Sequence, residues 1–494
     1  MSIGAVALVV LLVAAATFAL FGLANSSRRA IDLEDYMVSR NQIGARAAWA
    51  SVTASALGAW ILFSPPEAGS AFGGIAAVAG YCLASALAVF TFVFVGPRLR
   101  QIMPWGHSLN EYVRYRFDAK SPVGQLMYLL TVGVMLLYMF VYLAAELTAI
   151  AQVLQLVANV PLIVTSIVVI AAVFLYTTYG GLKVTIVTDI FQFLLIVPLL
   201  LICFAVVIVR MDGIGPAFEP VANTLPDLVS FSNLEGLRSG ATFMIAVIAA
   251  ELFNQSNWQR VYACRDSVTV RQAFLGSTLA ILPLIFLSGL FGLIAAGFDI
   301  AGADAFFNLL QTLNVADWIL GTVVLLAVAL VMSSLDSLLN GISAVFAGDL
   351  LRANDDPQRV LSISRGLTIV VGVPAVAIAS QGYSVLYLFF IADLLCAAML
   401  FPILLSFYNR HQNATNALVS SLVGMVVGIL FFPTPNFAPL FAVPGGGDLL
   451  NSFAAALISS TLITLVWTFL DARSGKRAFR YSDLQSVKPY TAPY

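Results

Sequence analysis

Long apolar runs recur along the whole chain and decide what it can fold into. A helix needs about 20 predominantly apolar residues to cross the hydrocarbon core of a bilayer, and this criterion predicts thirteen spans in the 494 residues. Only 10% of the residues are charged, whereas a soluble domain carries about 25%. The sequence therefore predicts an all-α polytopic protein whose surroundings are the lipid bilayer. Its formal net charge of -1 argues against a nucleic-acid partner.

Basic residues are strongly segregated between these spans. The predicted spans cover residues 3–24, 44–72, 73–96, 122–154, 159–178, 183–210, 241–263, 272–298, 318–350, 362–380, 384–407, 415–432 and 452–470. One set of alternate connections, with the tail after Leu470, holds 22 of the 24 Lys and Arg residues, leaving only Arg210 and Arg238 on the other side. Cytoplasmic loops collect positive charge. We therefore expect a multi-pass protein of the plasma (inner) membrane with its N-terminus outside and its C-terminus in the cytoplasm.

The spans also fall into two groups of five. Residues 44–210 and 241–407 form these groups, within a membrane domain of residues 1–470 that a short cytoplasmic tail, 471–494, follows. Because five is odd, the second group enters the membrane from the opposite side to the first, which is the geometry of an inverted repeat. The sequence therefore predicts two core repeats related by inversion.

Both groups begin with a helix that contains residues typical of a break. The first carries Gly58 followed by Pro65 and Pro66, and the second has polar residues in the run from Ala249 to Gln255. In inverted-repeat transporters, broken leading helices offer free backbone groups to ions or substrate near mid-membrane. We expect a break in each leading helix.

One helix carries a polar stripe in an otherwise apolar run. Between Leu330 and Asn340, the positions of Ser333, Asp336, Ser337 and Asn340 share one face of a helix. Serines of this kind commonly form packing seams between membrane helices. A carboxylate inside a membrane, however, needs a cation, a partner or a water-filled cavity. The two interpretations are therefore a packing seam and an alkali-cation site built from oxygen ligands.

Three motifs resemble those of the sodium:solute symporter family. Y-G-G-L-K-V-T-I-V-T-D-I-F-Q begins at Tyr179, M-S-S-L-D-S-L-L-N begins at Met332, and N-Q-S-N-W-Q-R begins at Asn254. The resemblance implies a LeuT-type fold with a 5+5 inverted repeat, one extra N-terminal helix and two extra C-terminal helices. It also implies sodium-coupled alternating access, with sodium as the coupling ion.

The resemblance further implies which residues bind sodium. The common sodium site would take the backbone carbonyls of Ala54, Leu57 and Leu330 and the hydroxyls of Ser333 and Ser334. A second sodium site or a release path would take Asp189, Asp336 and Ser337. Asp336 is alternatively expected to pair with a basic neighbour such as Lys183. Hard cations of this kind prefer oxygen ligands.

The predicted substrate pocket lies between the broken helices and the fourth span. Its candidate residues are Gly58, Trp60, Tyr138, Tyr142, Glu146, Glu251, Asn254 and Gln255. Tyr138, Tyr142 and Glu146 recur at helical spacing and form one aromatic and acidic face. The competing interpretation of the aromatic residues is packing. An acidic side chain inside the membrane is costly and usually marks a functional site. Glu146 and Glu251 are therefore expected to receive an ammonium or guanidinium, bind a proton, or pair with each other.

The predicted function is import of a small polar solute by sodium symport. Within the family, the chain resembles the sodium/proline symporter branch most, but Ala56 stands where that branch has an acid. Val247 and Ala250 stand where the sugar-transporting branch has polar pocket residues. These differences favour a compact solute: an amino acid such as proline, urea or a short carboxylate.

Two other classes of function are alternatives to transport. A solute sensor, or transceptor, with the same fold is the alternative function. An enzyme is not expected, because the two histidines, His107 and His411, lie in predicted loops and no catalytic cluster is evident. Nothing in the sequence indicates an obligate protein partner.

Overall fold

A computed structural model describes residues 3–25, 33–351, 356–474 and 478–487, which form helices joined by turns and short loops. Helices α1 to α8 are Ile3–Asn25, Leu33–Met37, Ala45–Ala56, Ser64–Ala71, Ile75–Ile102, Leu109–Arg116, Pro122–Ala158 and Leu162–Arg210. Helices α9 to α18 are Ile214–Thr224, Leu234–Leu252, Gln255–Ala263, Ser267–Ala296, Ala305–Thr312, Asp317–Val345, Pro357–Ala379, Val385–Ser406, Ala414–Phe431 and Leu449–Arg473. Short 3-10 turns cover Ala59–Leu62, Pro226–Val229 and Tyr481–Ser486, and a π turn covers Phe346–Leu350.

Most of the predicted spans are long helices. Within the described residues, ten helices are long and apolar enough to cross a membrane, and there are twelve if each of two bent helix pairs counts as one span. A further apolar helix, Leu162–Thr177, falls below that length.

The two bent pairs are the predicted broken helices. Helix α3 ends at Ala56, Leu57 and Gly58 are extended, and the chain continues into the 3-10 turn and α4 with its axis bent by 55°. Helices α10 and α11 bend by 57° around Asn254, whose side chain caps α11. Each break leaves backbone N–H and C=O groups free from helical hydrogen bonds at that point.

The Gly-Gly motif separates two spans that follow each other within α8. Gly181 has φ 58° and ψ -165°, a conformation that is essentially restricted to glycine. A Cβ at this position would also come within 2.8 Å of the Tyr36 ring. Gly181 therefore allows the sharp turn between the helix that ends near Thr177 and the one that continues to Arg210.

Helix α14 runs through the centre of the molecule. All its residues from Leu326 to Val345 are buried, and it contacts α3, α7 and α8. Helix α5 packs against α10 and α12. This arrangement places the polar stripe of α14 in the core, next to the first broken helix.

The C-terminal segment returns to the end of the bundle that is predicted to be cytoplasmic. The Tyr481 hydroxyl donates to the carbonyl of Ser406 at 2.7 Å, and Leu484 is buried. Of the predicted tail, residues 475–477 and 488–494 lie outside the described residues.

Candidate functional site

A small cavity of about 40 Å³ lies between the two broken helices, and helices α5, α7 and α16 also contribute to its wall. Seven aromatic side chains account for most of its wall: Trp60, Tyr81, Tyr138, Tyr142, Phe243, Phe389 and Phe390. Val247, Ala250 and Leu386 complete the apolar part.

Two carboxyl groups, Glu251 and Asp393, also line this cavity. Glu251 accepts hydrogen bonds from the Tyr138 hydroxyl at 3.2 Å and from the side-chain amides of Asn254 at 3.2 Å and Asn257 at 2.6 Å. These donors fix its position at the end of α10. By contrast, Asp393 is only 4% exposed, and its Oδ1 finds no hydrogen-bond partner among the described residues.

Asp393 is a candidate functional residue that the sequence interpretation missed. It lies inside the apolar run 384–407, and an acid within a span is by itself a sign of function. The same rule that selected Glu251 would therefore have selected Asp393.

The combination of aromatic faces and carboxyl groups suits a positively charged ligand. Aromatic rings attract cations through the negative potential of their faces, and a buried carboxylate without a partner gains most from an opposite charge. None of the described residues that line this cavity is Lys, Arg or His. The lining therefore favours a positively charged group, and it offers no positive group to an anion.

The predicted substrate residues fall into three places. Trp60, Tyr138, Tyr142 and Glu251 line the cavity, and Asn254 reaches it through its hydrogen bond to Glu251. Gly58 and Glu146 meet instead at the break after α3, where the Ala59 N–H donates to Glu146 Oε2 at 2.8 Å.

Gln255 faces away from the cavity. Its side-chain amide donates to the backbone carbonyl of His107 at 2.7 Å, on the other side of the α10–α11 break. The change in chain direction at Asn254 explains this difference from the predicted pocket position.

The predicted sodium ligands lie on two elements that touch. Ala54 and Leu57 border the first break, and α14, which carries Leu330, Ser333 and Ser334, contacts both α3 and the turn after the break. The Ser334 hydroxyl donates to the carbonyls of Leu330 and Val331, both at 3.2 Å. The buried Ser333 hydroxyl has no partner of normal hydrogen-bond geometry among the described residues. This unused hydroxyl, with the backbone carbonyls nearby, suits a hard cation such as sodium.

A buried arginine lies among the residues predicted for a second sodium site. Arg260 donates to Asp189 at 2.7 Å, to Ser337 at 2.7 Å and to Ser51 at 2.9 Å. Its third nitrogen donates to the carbonyl of Ser256 at 3.0 Å. The guanidinium thus supplies a positive charge to Asp189 and a hydrogen bond to Ser337, both of which were predicted for the second site. The sequence analysis assigns no role at this site to Arg260.

Asp336 is satisfied by hydroxyl groups rather than by a basic side chain. Tyr176 and Thr188 donate to its Oδ2, both at 3.0 Å, and Ser337 donates to its Oδ1 at 3.3 Å. Lys183 is exposed on α8, so the alternative pairing of Asp336 with Lys183 does not occur in this structure.

Comparison with known proteins identifies the family. The family model described as "Sodium:solute symporter family" matches residues 36–424. The chain belongs to the sodium:solute symporter family. Membership makes it a membrane transporter rather than an enzyme, as predicted, and sodium-coupled transport is the general function of this family.

Relatives with assigned substrates cover most of the chain. It is 26% identical to a spermidine transporter of Candida albicans over 80% of this chain and 74% of the relative. It is 24% identical to the sodium/proline symporter of Escherichia coli over 81% of this chain and 82% of the relative. It is 25% identical to the sodium/sialic acid symporter of Proteus mirabilis over 90% of both chains.

Solved structures show the fold. An outward-open, substrate-bound sodium-coupled sialic acid symporter matches with a TM-score of 0.74 and 17% identity, covering 94% of this chain and 98% of the other. The nucleobase-cation symporter Mhp1 matches with a TM-score of 0.60 and 13% identity, covering 91% and 99%. The architecture is therefore that of the LeuT-type transporters, as the sequence predicted.

Proposed function

We propose that this protein is a sodium-coupled symporter of a small organic cation, most simply an amine with one or more ammonium groups. The observation that carries the proposal is the cavity in which Glu251 and Asp393 face the same volume between aromatic rings. An ammonium group there meets carboxyl oxygens and ring faces, both of which attract cations. The Candida albicans relative that transports spermidine is consistent with an amine.

This cavity favours some of the predicted solutes over others. A short carboxylate would meet the acidic side chains of Glu251 and Asp393 without a basic partner in the cavity wall. Urea carries no charge and would leave Asp393 uncompensated. An amine therefore suits the geometry better than urea, a short carboxylate or an amino acid such as proline.

Coupling is proposed to use one sodium ion, bound at the break of α3. Its ligands would be the carbonyls of Ala54, Leu57 and Leu330 and the hydroxyls of Ser333 and Ser334. The Ser333 hydroxyl has no partner of normal hydrogen-bond geometry among the described residues. Because Arg260 already pairs with Asp189, we assign Asp189, Asp336 and Ser337 to a release path rather than to a second ion.

The proposed topology has thirteen spans. They are the ten long helices, the two bent pairs and the shorter helix Leu162–Thr177. The two inverted repeats would cover residues 44–210 and 241–407 within a membrane domain of residues 1–470. On this topology the N-terminus is outside the plasma membrane and the tail is inside.

The test is uptake by the purified protein in proteoliposomes. Labelled putrescine, cadaverine and spermidine are compared with proline, urea and acetate, with an inward sodium gradient or with potassium in place of sodium. We expect accumulation of at least one amine only with sodium. Equal uptake without sodium, or accumulation of proline or acetate in preference to every amine, would overturn the proposal. Solute binding without any accumulation would favour the sensor.

The substitutions Glu251→Gln and Asp393→Asn test the assignment of the cavity. Loss of one buried charge partner should raise the KM for the amine about tenfold or more. Glu219→Gln, on the exposed side of α9, is the matched control and should leave the KM unchanged. If both cavity variants retain the wild-type KM, the amine binds elsewhere.

A further inference from the structure

Glu146 lies at the first helix break, behind the cavity. It is fully buried in α7, one turn after Tyr142, and it does not line the cavity that Tyr142 and Trp60 line. Its Oε2 accepts the backbone N–H of Ala59 at 2.8 Å. Its Oε1 has no partner of normal hydrogen-bond geometry among the described residues.

Gly58 is what allows this carboxyl group to approach the break. A Cβ at Gly58 would overlap Glu146 Oε1 and its carboxyl carbon. The glycine and the acid therefore form one unit, in which a residue without a side chain leaves room for a carboxyl group against the backbone. The hydroxyl of Ser334, a proposed sodium ligand, lies beside the same carboxyl group.

The Ala59 amide is a group that a substrate could otherwise use. In transporters with broken helices, free backbone amides at the break receive the anionic group of the substrate, such as an α-carboxylate. Here the chain's own carboxyl group already occupies the amide of Ala59. A substrate carboxylate would have to displace Glu146 from a buried hydrogen bond, and it would meet the acids Glu251 and Asp393 nearby in the cavity.

We propose that Glu146 is a specificity-determining residue, a built-in carboxylate that occupies the place of a substrate carboxylate and so restricts transport to amines that lack one. This inference rests on the proposed function. Glu146 binds no part of the carbon chain of the substrate. It holds the Ala59 amide, and no described residue that lines the adjacent cavity is basic.

Two pairs of compounds isolate the effect of a carboxylate. Lysine is cadaverine with one added carboxylate, and ornithine has the same relation to putrescine. Each is used as a competitor against sodium-driven uptake of the labelled amine that the wild-type protein accumulates best. For the wild-type protein, the inhibition constant of each amino acid should exceed that of its diamine by about a hundredfold, since acidic groups in and beside a binding site act against a ligand with an added carboxylate.

Substitutions at Glu146 should change this ratio. Glu146→Ala frees the Ala59 amide and should narrow the ratio at least about tenfold by improving inhibition by the amino acids. Glu146→Gln keeps a hydrogen-bond acceptor without the charge and should narrow it less. Millimolar acetate should restore the wild-type ratio in Glu146→Ala, because a free carboxylate fills the vacated space, and should not affect Glu146→Gln.

The outcomes separate this inference from the proposed function. If the wild-type protein accumulates no amine with sodium, the proposed function fails. If the wild-type protein transports amines and the ratio is unchanged in both Glu146 variants, then Glu146 is structural and the inference is overturned. Should Glu146→Ala fail to fold, as judged by its melting temperature, the ratio measured for Glu146→Gln decides in the same way.

Discussion

The guanidinium of Arg260 lies 2.7 Å from the carboxylate of Asp189, and both side chains are at most 1% exposed. Arg260 belongs to α11, the second half of the second broken helix, whereas Asp189 belongs to α8. The ion pair thus joins a helix of the proposed second repeat to one of the proposed first repeat. It also gives the predicted second sodium cluster a positive charge that belongs to the protein.

Removal of this pair should cost stability. Replacing one partner of a buried ion pair leaves an uncompensated charge, and the cost is about 3–5 kcal/mol. Arg260→Gln should therefore lower the melting temperature in detergent markedly. The double variant Arg260→Gln/Asp189→Asn should lose less than the sum of the two single changes. Arg265→Gln, whose side chain is 72% exposed, should melt like the wild-type protein, and additive losses in the double variant would show that the two residues act separately.

The same pair predicts the ion stoichiometry. If Arg260 permanently occupies the second cation position, each transport cycle carries a single sodium ion. The measurement is the ratio of labelled sodium to labelled solute in the first seconds of uptake into proteoliposomes. A ratio of two sodium ions per solute would mean that a second ion binds despite Arg260.

Ser333 should control the affinity for sodium. Its buried hydroxyl is available for an ion, so Ser333→Ala should raise the sodium concentration for half-maximal uptake by about tenfold, the effect expected for loss of one polar ligand. The KM for solute at saturating sodium should change little. Ser459→Ala is the matched control, because among the described residues Ser459 donates only to carbonyls of its own helix, α18. An unchanged sodium requirement in Ser333→Ala would place the ion elsewhere.

Asp266 should make stability depend on pH at the start of α12, outside the spans. Its carboxylate accepts the backbone N–H of Thr269 at 2.7 Å, and this hydrogen bond holds the pKa of Asp266 below its usual value. A lowered pKa in the folded state stabilises the protein above the unfolded-state pKa, and this contribution is lost as the pH falls through the lowered value. Asp266→Asn keeps the cap without the titration. We therefore measure the melting temperature of both proteins from neutral pH to pH values below the usual Asp pKa. The melting temperature of Asp266→Asn should fall less than that of the wild-type protein. Parallel plots of melting temperature against pH would contradict this role.

Local patterns were sufficient to predict the breaks and one wall of the cavity. Gly58 and the polar residues near Asn254 leave a signature because an interrupted helix requires residues that tolerate or satisfy free backbone groups. Tyr138 and Tyr142 share a face because they are four residues apart on one helix. These features depend on neighbours in the sequence, so a single chain reveals them.

The remaining features depend on contacts between distant elements. Arg260 contacts Asp189, which lies 71 positions earlier in the chain. The helical spacing of residues in the sequence does not indicate such a distant pair. The sequence predicts Gln255 as a pocket residue, but the bend at Asn254 turns its side chain towards His107. Asp393 is different, since an acid inside a predicted span was visible in the sequence and only its place opposite Glu251 required the structure.

Gly181 should be indispensable for the turn between the two halves of α8. Its φ of 58° with ψ of -165° is costly for any residue with a side chain, by about 1–3 kcal/mol, and a Cβ there would also press against Tyr36. Gly181→Ala should therefore lower the melting temperature of the purified protein. Gly133→Ala is the matched control, because Gly133 lies within α7 and a Cβ there meets nothing within 4 Å, so it should be neutral or slightly stabilising. If both variants melt at the wild-type temperature, the turn at Gly181 does not require glycine and the two spans are joined in another conformation.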